Sequence, residues 1–98
     1  MKKKINQDPI DFSVLFNKNL RSAPIQIKIA FRETLEIFLD EPFHPQLRNH
    51  PLTGRYSGYR SIDVTGDWRA IYIEIKDKDK NSVAYFVALG THPQLYRR

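Results

Sequence analysis

Ser82-Val83-Ala84-Tyr85-Phe86-Val87-Ala88-Leu89 decides the fold. Read with a period of two, both of its faces are apolar: Val83, Tyr85, Val87 and Leu89 on one, Ala84, Phe86 and Ala88 on the other. A strand of that pattern is expected to be the most buried in its sheet. Just upstream, Asp67 to Ile75 reads as its neighbour, with Ile71, Ile73 and Ile75 as the apolar stripe and the charged segment from Lys76 to Asn81 as the hairpin loop. Further back, Tyr59 to Val64 alternates again, Ile62 and Val64 facing one way and Ser61 and Asp63 the other. Thr65-Gly66 suits a two-residue turn between them. Three strands in a meander result.

Before His50 the period is close to four. Ile27, Phe31, Leu35 and Phe38 recur at helical steps, with Gln26, Arg32, Glu33 and Glu36 opposite, which predicts an amphipathic helix. Pro24 suits its first turn, and Glu41 before Pro42 ends it near Asp40. A shorter helix is predicted from about Val14, capped by Ser13, with Phe16, Leu20 and Ala23 on one face. Ile10-Asp11-Phe12 suits a short strand; the rival is a helix starting at Asp8-Pro9. The order is β-α-α-β-β-β, a small α+β domain with both helices packed on one face of a mainly antiparallel sheet. The other face is left open for a site.

Ninety-eight residues make one domain. There is no cysteine, so neither a disulfide framework nor a thiolate site is expected. Met1-Lys2-Lys3-Lys4 has the basic start of a signal peptide, yet Ile5-Asn6-Gln7-Asp8-Pro9 is no apolar core, so secretion is not expected. No apolar run approaches the roughly 20 residues of a membrane helix, and the expected location is the cytoplasm. Sixteen Lys and Arg against eleven Asp and Glu give a net charge of +5. That excess suits a polyanionic partner, nucleic acid or an acidic protein. Part of it sits in Lys2 to Lys4 and Arg97-Arg98, tails that are ordinarily just solvated.

The polar residues gather in two stretches, His50-Pro51-Leu52-Thr53-Gly54 through Asp67-Trp68, and Gly90-Thr91-His92-Pro93-Gln94-Leu95-Tyr96. Cutting RNA without a metal needs a base for the 2′-hydroxyl, an acid for the leaving 5′-oxygen and a cation for the phosphorane. Imidazoles suit the first two roles, so His50 and His92 are candidates; His44, between Phe43 and Pro45, reads as structural or merely exposed. Asp67, with Asp63 nearby, can orient an imidazole or act as base. Arg60 and Arg69 offer forked donors for phosphate, and Trp68 and Tyr96 offer faces for base stacking. Blander readings stand beside these. Trp68 can simply pack in the core, and Arg69 can serve a salt bridge at its edge. Two histidines and a carboxylate also match a facial metal triad, but they come from separate segments without close ligand spacing, so neither metal nor cofactor is expected.

His50-Pro51-Leu52 with Gly54, Gly58-Tyr59-Arg60, Asp67-Trp68 with Ile71-Tyr72, and Gly90-Thr91-His92 with Leu95 together resemble the RelE/ParE superfamily of bacterial toxin–antitoxin toxins, most closely its YafQ branch. Ile10-Asp11-Phe12-Ser13 resembles that family's first strand and helix cap. The resemblance implies an endoribonuclease that cleaves mRNA in the ribosomal A site and is silenced by a cognate antitoxin. The branch's functional positions fall on His50, Asp67, Trp68 and His92, with Tyr96 at a family aromatic; Arg69 matches the catalytic arginine of the RelE branch. Two departures stand out: Asp63 replaces a second active-site histidine, and Ala88 replaces an arginine. An aspartate can accept a proton but cannot stabilise phosphate charge, so Arg69 or Arg60 is expected to supply the lost cation. The expected roles are His50 and Asp67 on the nucleophile side with Asp63 in support, His92 as acid or phosphate ligand, and Arg69 as charge stabiliser, with Arg60, Trp68 and Tyr96 contacting substrate. Alternatives are a gyrase-binding toxin of the ParE kind, or a weakened toxin that still binds its antitoxin.

Overall fold

In the computed structural model, which describes residues 10–96, the chain runs β1 (Ile10–Phe12), α1 (Val14–Ser22), α2 (Ile25–Asp40), β2 (His50–Pro51), β3 (Arg60–Asp63), β4 (Trp68–Lys76), β5 (Ser82–Thr91) and α3 (His92–Tyr96). The charged tails and the rival helix start at Asp8-Pro9 lie outside the described residues. The strands form one sheet in the order β1-β5-β4-β3-β2. β1 pairs with β5 in parallel and every other pairing is antiparallel. The expected meander and helix pair are present, and two elements are added. His50–Pro51 is a short edge strand on β3, and the segment after Thr91 coils into α3.

Ser13 caps α1 as expected: its Oγ accepts from the Phe16 N–H at 2.9 Å. The two helices lie on one face of the sheet. Phe16, Phe31 and Phe38 from the helices meet Ile62, Ala70, Tyr72, Ala84, Phe86 and Leu89 from the strands. Leu47, in a short 3₁₀ turn after α2, closes one side of this core.

β5 does not hold one alternation along its length. Tyr72 is opposite Phe86 while Ile71 is opposite Ala88, so Val87 is the extra residue of a β-bulge. The bulge resets the phase. Ala84, Phe86 and then Leu89 face the helices, whereas Val87 and Ala88 face away. Beyond the end of β1, backbone groups beside the bulge find side-chain partners on the α1 cap and helix: Ser13 Oγ donates to the Val87 carbonyl at 3.1 Å, and the Leu89 N–H donates to Asn19 Oδ1 at 3.1 Å. That satisfaction is what makes a buried bulge tolerable.

Three local expectations are corrected. The helix-facing residues of β4 are Trp68, Ala70 and Tyr72 rather than the isoleucines; Ile71 faces the other way and Ile75 is 42 % exposed near the hairpin end. The turn before β4 is longer than two residues, with Val64 N–H donating to the Trp68 carbonyl at 2.9 Å. Thr65 Oγ1 holds it closed by accepting from the Asp67 and Trp68 N–H groups. Nor is the far face bare: Ile71, Ala88 and Leu95 form a second small core there, with Leu52, Tyr56, Tyr59, Val87 and Tyr96 packed around it.

Candidate active site

Beside this second core, on the face away from the helices, lies a cavity of about 350 Å³. His50, Asp63, Arg69, His92 and Tyr96 line it, five of the residues singled out in the sequence. Arg48, Leu52 and Ser61 complete its wall. Strand alternation explains the grouping. Ser61 and Asp63 on β3 and Arg69 on β4 point opposite to the core residues Ile62 and Ala70.

His50 enters from the edge strand. Its Nδ1 lies 2.8 Å from the Arg48 carbonyl oxygen. A carbonyl can only accept, so Nδ1 carries the proton of the neutral ring and Nε2 is left as the basic nitrogen. Arg48 itself sits in the left-handed region at φ 50, a conformation uncommon outside glycine and often found where function constrains the backbone.

Asn49 fixes this segment from the opposite side. Its Nδ2 donates to the Pro42 carbonyl at 2.9 Å and to the Tyr72 hydroxyl at 2.8 Å, while its Oδ1 accepts from Arg60 Nε at 2.7 Å. Burial raises the Tyr72 phenol above its ordinary value near 10, against the lowering effects of Asn49 and Arg60. The unfolded chain therefore releases this proton at a lower pH than the folded one. Stability linked to Tyr72 is complete below about pH 10 and is lost as pH rises from there through the higher folded value. Urea melts between pH 9 and 11.5 should show Tyr72→Phe losing less stability with rising pH than the wild type does; equal slopes would reject this linkage.

Asp63 is held by two guanidiniums, Arg69 Nε at 3.1 Å and Arg48 Nε at 3.4 Å. Arg69 is also anchored through Nη1, which donates to the carbonyls of Thr65, Gly66 and Trp68 at 3.0–3.2 Å. It thus staples the 64–67 turn while its other edge reaches the cavity. His92 opens α3, and its ring lies against Tyr96 with centroids 4.6 Å apart. Tyr96 in turn meets the edge of Tyr56 at 5.8 Å.

Three expected site residues are placed elsewhere. Asp67 is exposed and its side chain is not part of the cavity wall; its main-chain carbonyl accepts from the His92 N–H at 3.2 Å. Trp68 packs against the helix-side core and borders a separate cavity with Leu15 and Asn19. Arg60 shares the helix-side face of β3 with Ile62, lies over the Phe43 ring at 5.1 Å and binds Asn49. Two further residues of the cavity wall, Ser61 and Arg48, carry little mark of a site in the sequence. Ser61 is fully buried and its Oγ has no hydrogen-bond partner among the described residues. Its parity with Asp63 was the available signal. Arg48 had a weaker one, its place two residues before His50.

Among the described residues no group of three His, Asp or Glu could hold a metal ion. None of their helices is long and apolar enough to cross a membrane. The arrangement offers two imidazoles, two guanidiniums and a carboxylate around one small polar hollow, a set suited to proton transfer beside an anionic ligand.

A family model described as the bacterial toxin of type II toxin–antitoxin system, YafQ, matches residues 9–97. The mRNA interferase toxin YafQ of Escherichia coli (strain K12) is 31% identical over 94 residues, which span 92% of this chain and 97% of that protein. The crystal structure of YafQ from E. coli strain BL21(DE3) superposes with a TM-score of 0.72 at 26% identity, covering 92% of this chain and 99% of that one. YafQ in the crystal structure of the E. coli DinJ–YafQ complex matches with a TM-score of 0.62 at 29% identity over the same shares.

Proposed function

Since the chain belongs to the YafQ family of bacterial type II toxin–antitoxin toxins, we propose that it is an mRNA interferase, a single toxin domain acting in the cytoplasm on mRNA held by the ribosome. The observation that carries this reading is the convergence of His50 and His92 on one cavity with guanidiniums beside them. His50 Nε2 takes the proton of the ribose 2′-hydroxyl, since Nδ1 is committed to the Arg48 carbonyl. The 2′-oxygen then forms its bond to phosphorus, the bond from phosphorus to the 5′-oxygen breaks, and His92 gives that oxygen a proton. The products are a 2′,3′-cyclic phosphate and a free 5′-hydroxyl. Arg69 faces the charge that builds on phosphorus, in place of an imidazolium at position 63. Asp63 serves as its counter-ion, Asp67 holds His92 through the main chain, and Tyr96 supports the His92 ring.

YafQ is found in complex with DinJ in a solved structure; by analogy this chain is silenced by a cognate antitoxin. Induction in bacterial cells tests the whole reading. Wild type should arrest growth and leave fragmented mRNA, whereas His92→Ala should do neither, and co-expression of the antitoxin should restore growth. Equal growth and intact mRNA for both chains would count against catalysis.

A further inference from the structure

We propose that Arg48 is a second phosphate-binding residue of this site, gripping the RNA backbone through a guanidinium that Asp63 holds ready. The inference rests on the nuclease reading and adds to it a ligand contact. It starts from a contrast between the two arginines on Asp63. Arg69 is 19 % exposed, with Nε on the carboxylate and Nη1 on three carbonyls. Only Nη2 is left to it, and moving the side chain breaks its bonds to the carbonyls of the 64–67 turn. Arg48 is 77 % exposed, with Nε 3.4 Å from an Asp63 carboxylate oxygen. So exposed a guanidinium can turn its terminal nitrogens to a ligand in the cavity that it lines with His50 and His92.

Phosphodiester recognition favours such a fork, because two parallel N–H donors match two phosphate oxygens. An exposed ion pair is worth little in water, so exchanging the Asp63 contact for a phosphate contact meets little resistance. Asp63 meanwhile keeps the guanidinium over the cavity and prevents Arg48 and Arg69 from repelling each other apart. The left-handed backbone at Arg48 adds a division of labour: the carbonyl of this residue fixes His50, while its side chain remains free for substrate. A side-chain substitution therefore leaves the His50 contact in place.

The test compares wild type, Arg48→Gln and Arg48→Lys, after confirming equal thermal midpoints, in two assays. In the first, cleavage of ribosome-bound mRNA, Arg48→Gln should raise KM roughly 10-fold, the scale of one lost charge-assisted contact, with kcat within about three-fold. Lysine should recover part of the loss. In the second, inorganic phosphate is titrated while the amide and imidazole NMR signals of residues 48–50, 63 and 92 are followed. Phosphate should shift these signals in wild type and bind roughly 10-fold more weakly to Arg48→Gln. Unchanged KM and unchanged phosphate affinity would overturn the proposal, as would a loss confined to kcat. If wild type cuts no mRNA, the nuclease reading fails, and the phosphate titration alone decides on Arg48.

Discussion

His50→Ala and His92→Ala are each expected to slow mRNA cleavage by roughly 10²–10⁴-fold, and a sulfur atom in the substrate should tell the two apart. Replacing the bridging 5′-oxygen of the scissile linkage with sulfur makes a leaving group that departs as a thiolate and needs no proton. The acid is then dispensable and the base is not. His92→Ala should regain most of its rate on that substrate, while His50→Ala should remain as slow as before. The assignment rests on the Arg48 carbonyl: with Nδ1 of His50 donating to it, the neutral ring offers Nε2 to accept a proton. Rescue of His50→Ala instead would exchange the two roles. Rescue of neither would mean that His92 serves the phosphate charge rather than the leaving group. Asp67→Asn supplies a control. Its carbonyl, which holds the His92 amide, is unaltered by the substitution, so cleavage should fall by less than about 10-fold, below the range for losing an acid or a base.

That last expectation reverses what the sequence implied for Asp67, and the reason is physical. A main-chain carbonyl is the same in every residue, so no residue type announces its use. Arg60 is a different case. It shares parity with Ile62, which already placed it on the core face of β3, away from Asp63; reading it as a phosphate ligand put residue type ahead of geometry. The amphipathic helix, the meander and the grouping of Asp63 with Ser61 were all legible, because alternation and helical period are direct consequences of backbone geometry. The bulge at Val87 was not. With apolar residues on both faces of β5, a slip of one residue changes no hydrophobic pattern. Yet that slip places Leu89 in the main core and Ala88 in the second one, and it sets the register in which Trp68 is opposite Thr91 at the entrance to His92. Helix α3, five residues long, is too short to display a period at all.

Phe86→Ala should be the most damaging single truncation in the core, costing about 3–5 kcal/mol. The Phe86 ring is wholly buried and meets five others, Phe12, Phe16, Phe31, Phe38 and Tyr72, at centroid separations of 5.2–6.0 Å. These come from β1, both helices and β4, so no one neighbour can move into the void without abandoning another. Domains of this size are stable by about 5–15 kcal/mol, toward the lower end when small, and a loss of that scale leaves a sizeable unfolded fraction at 37 °C. Urea denaturation should show the midpoint falling sharply. Ile75→Ala, exposed on the same sheet, should stay within about 0.5 kcal/mol of wild type. Phe86 also lies directly before the bulge residue Val87, whose carbonyl is held by Ser13, so its loss loosens the strand that delivers His92. A partner that binds only the folded chain contributes about 4 kcal/mol at a thousand times its Kd. Saturating antitoxin should therefore return Phe86→Ala to a folded state that free protein cannot maintain. A variant that melts like wild type without antitoxin would mean that the aromatic cluster is not what holds helices and sheet together.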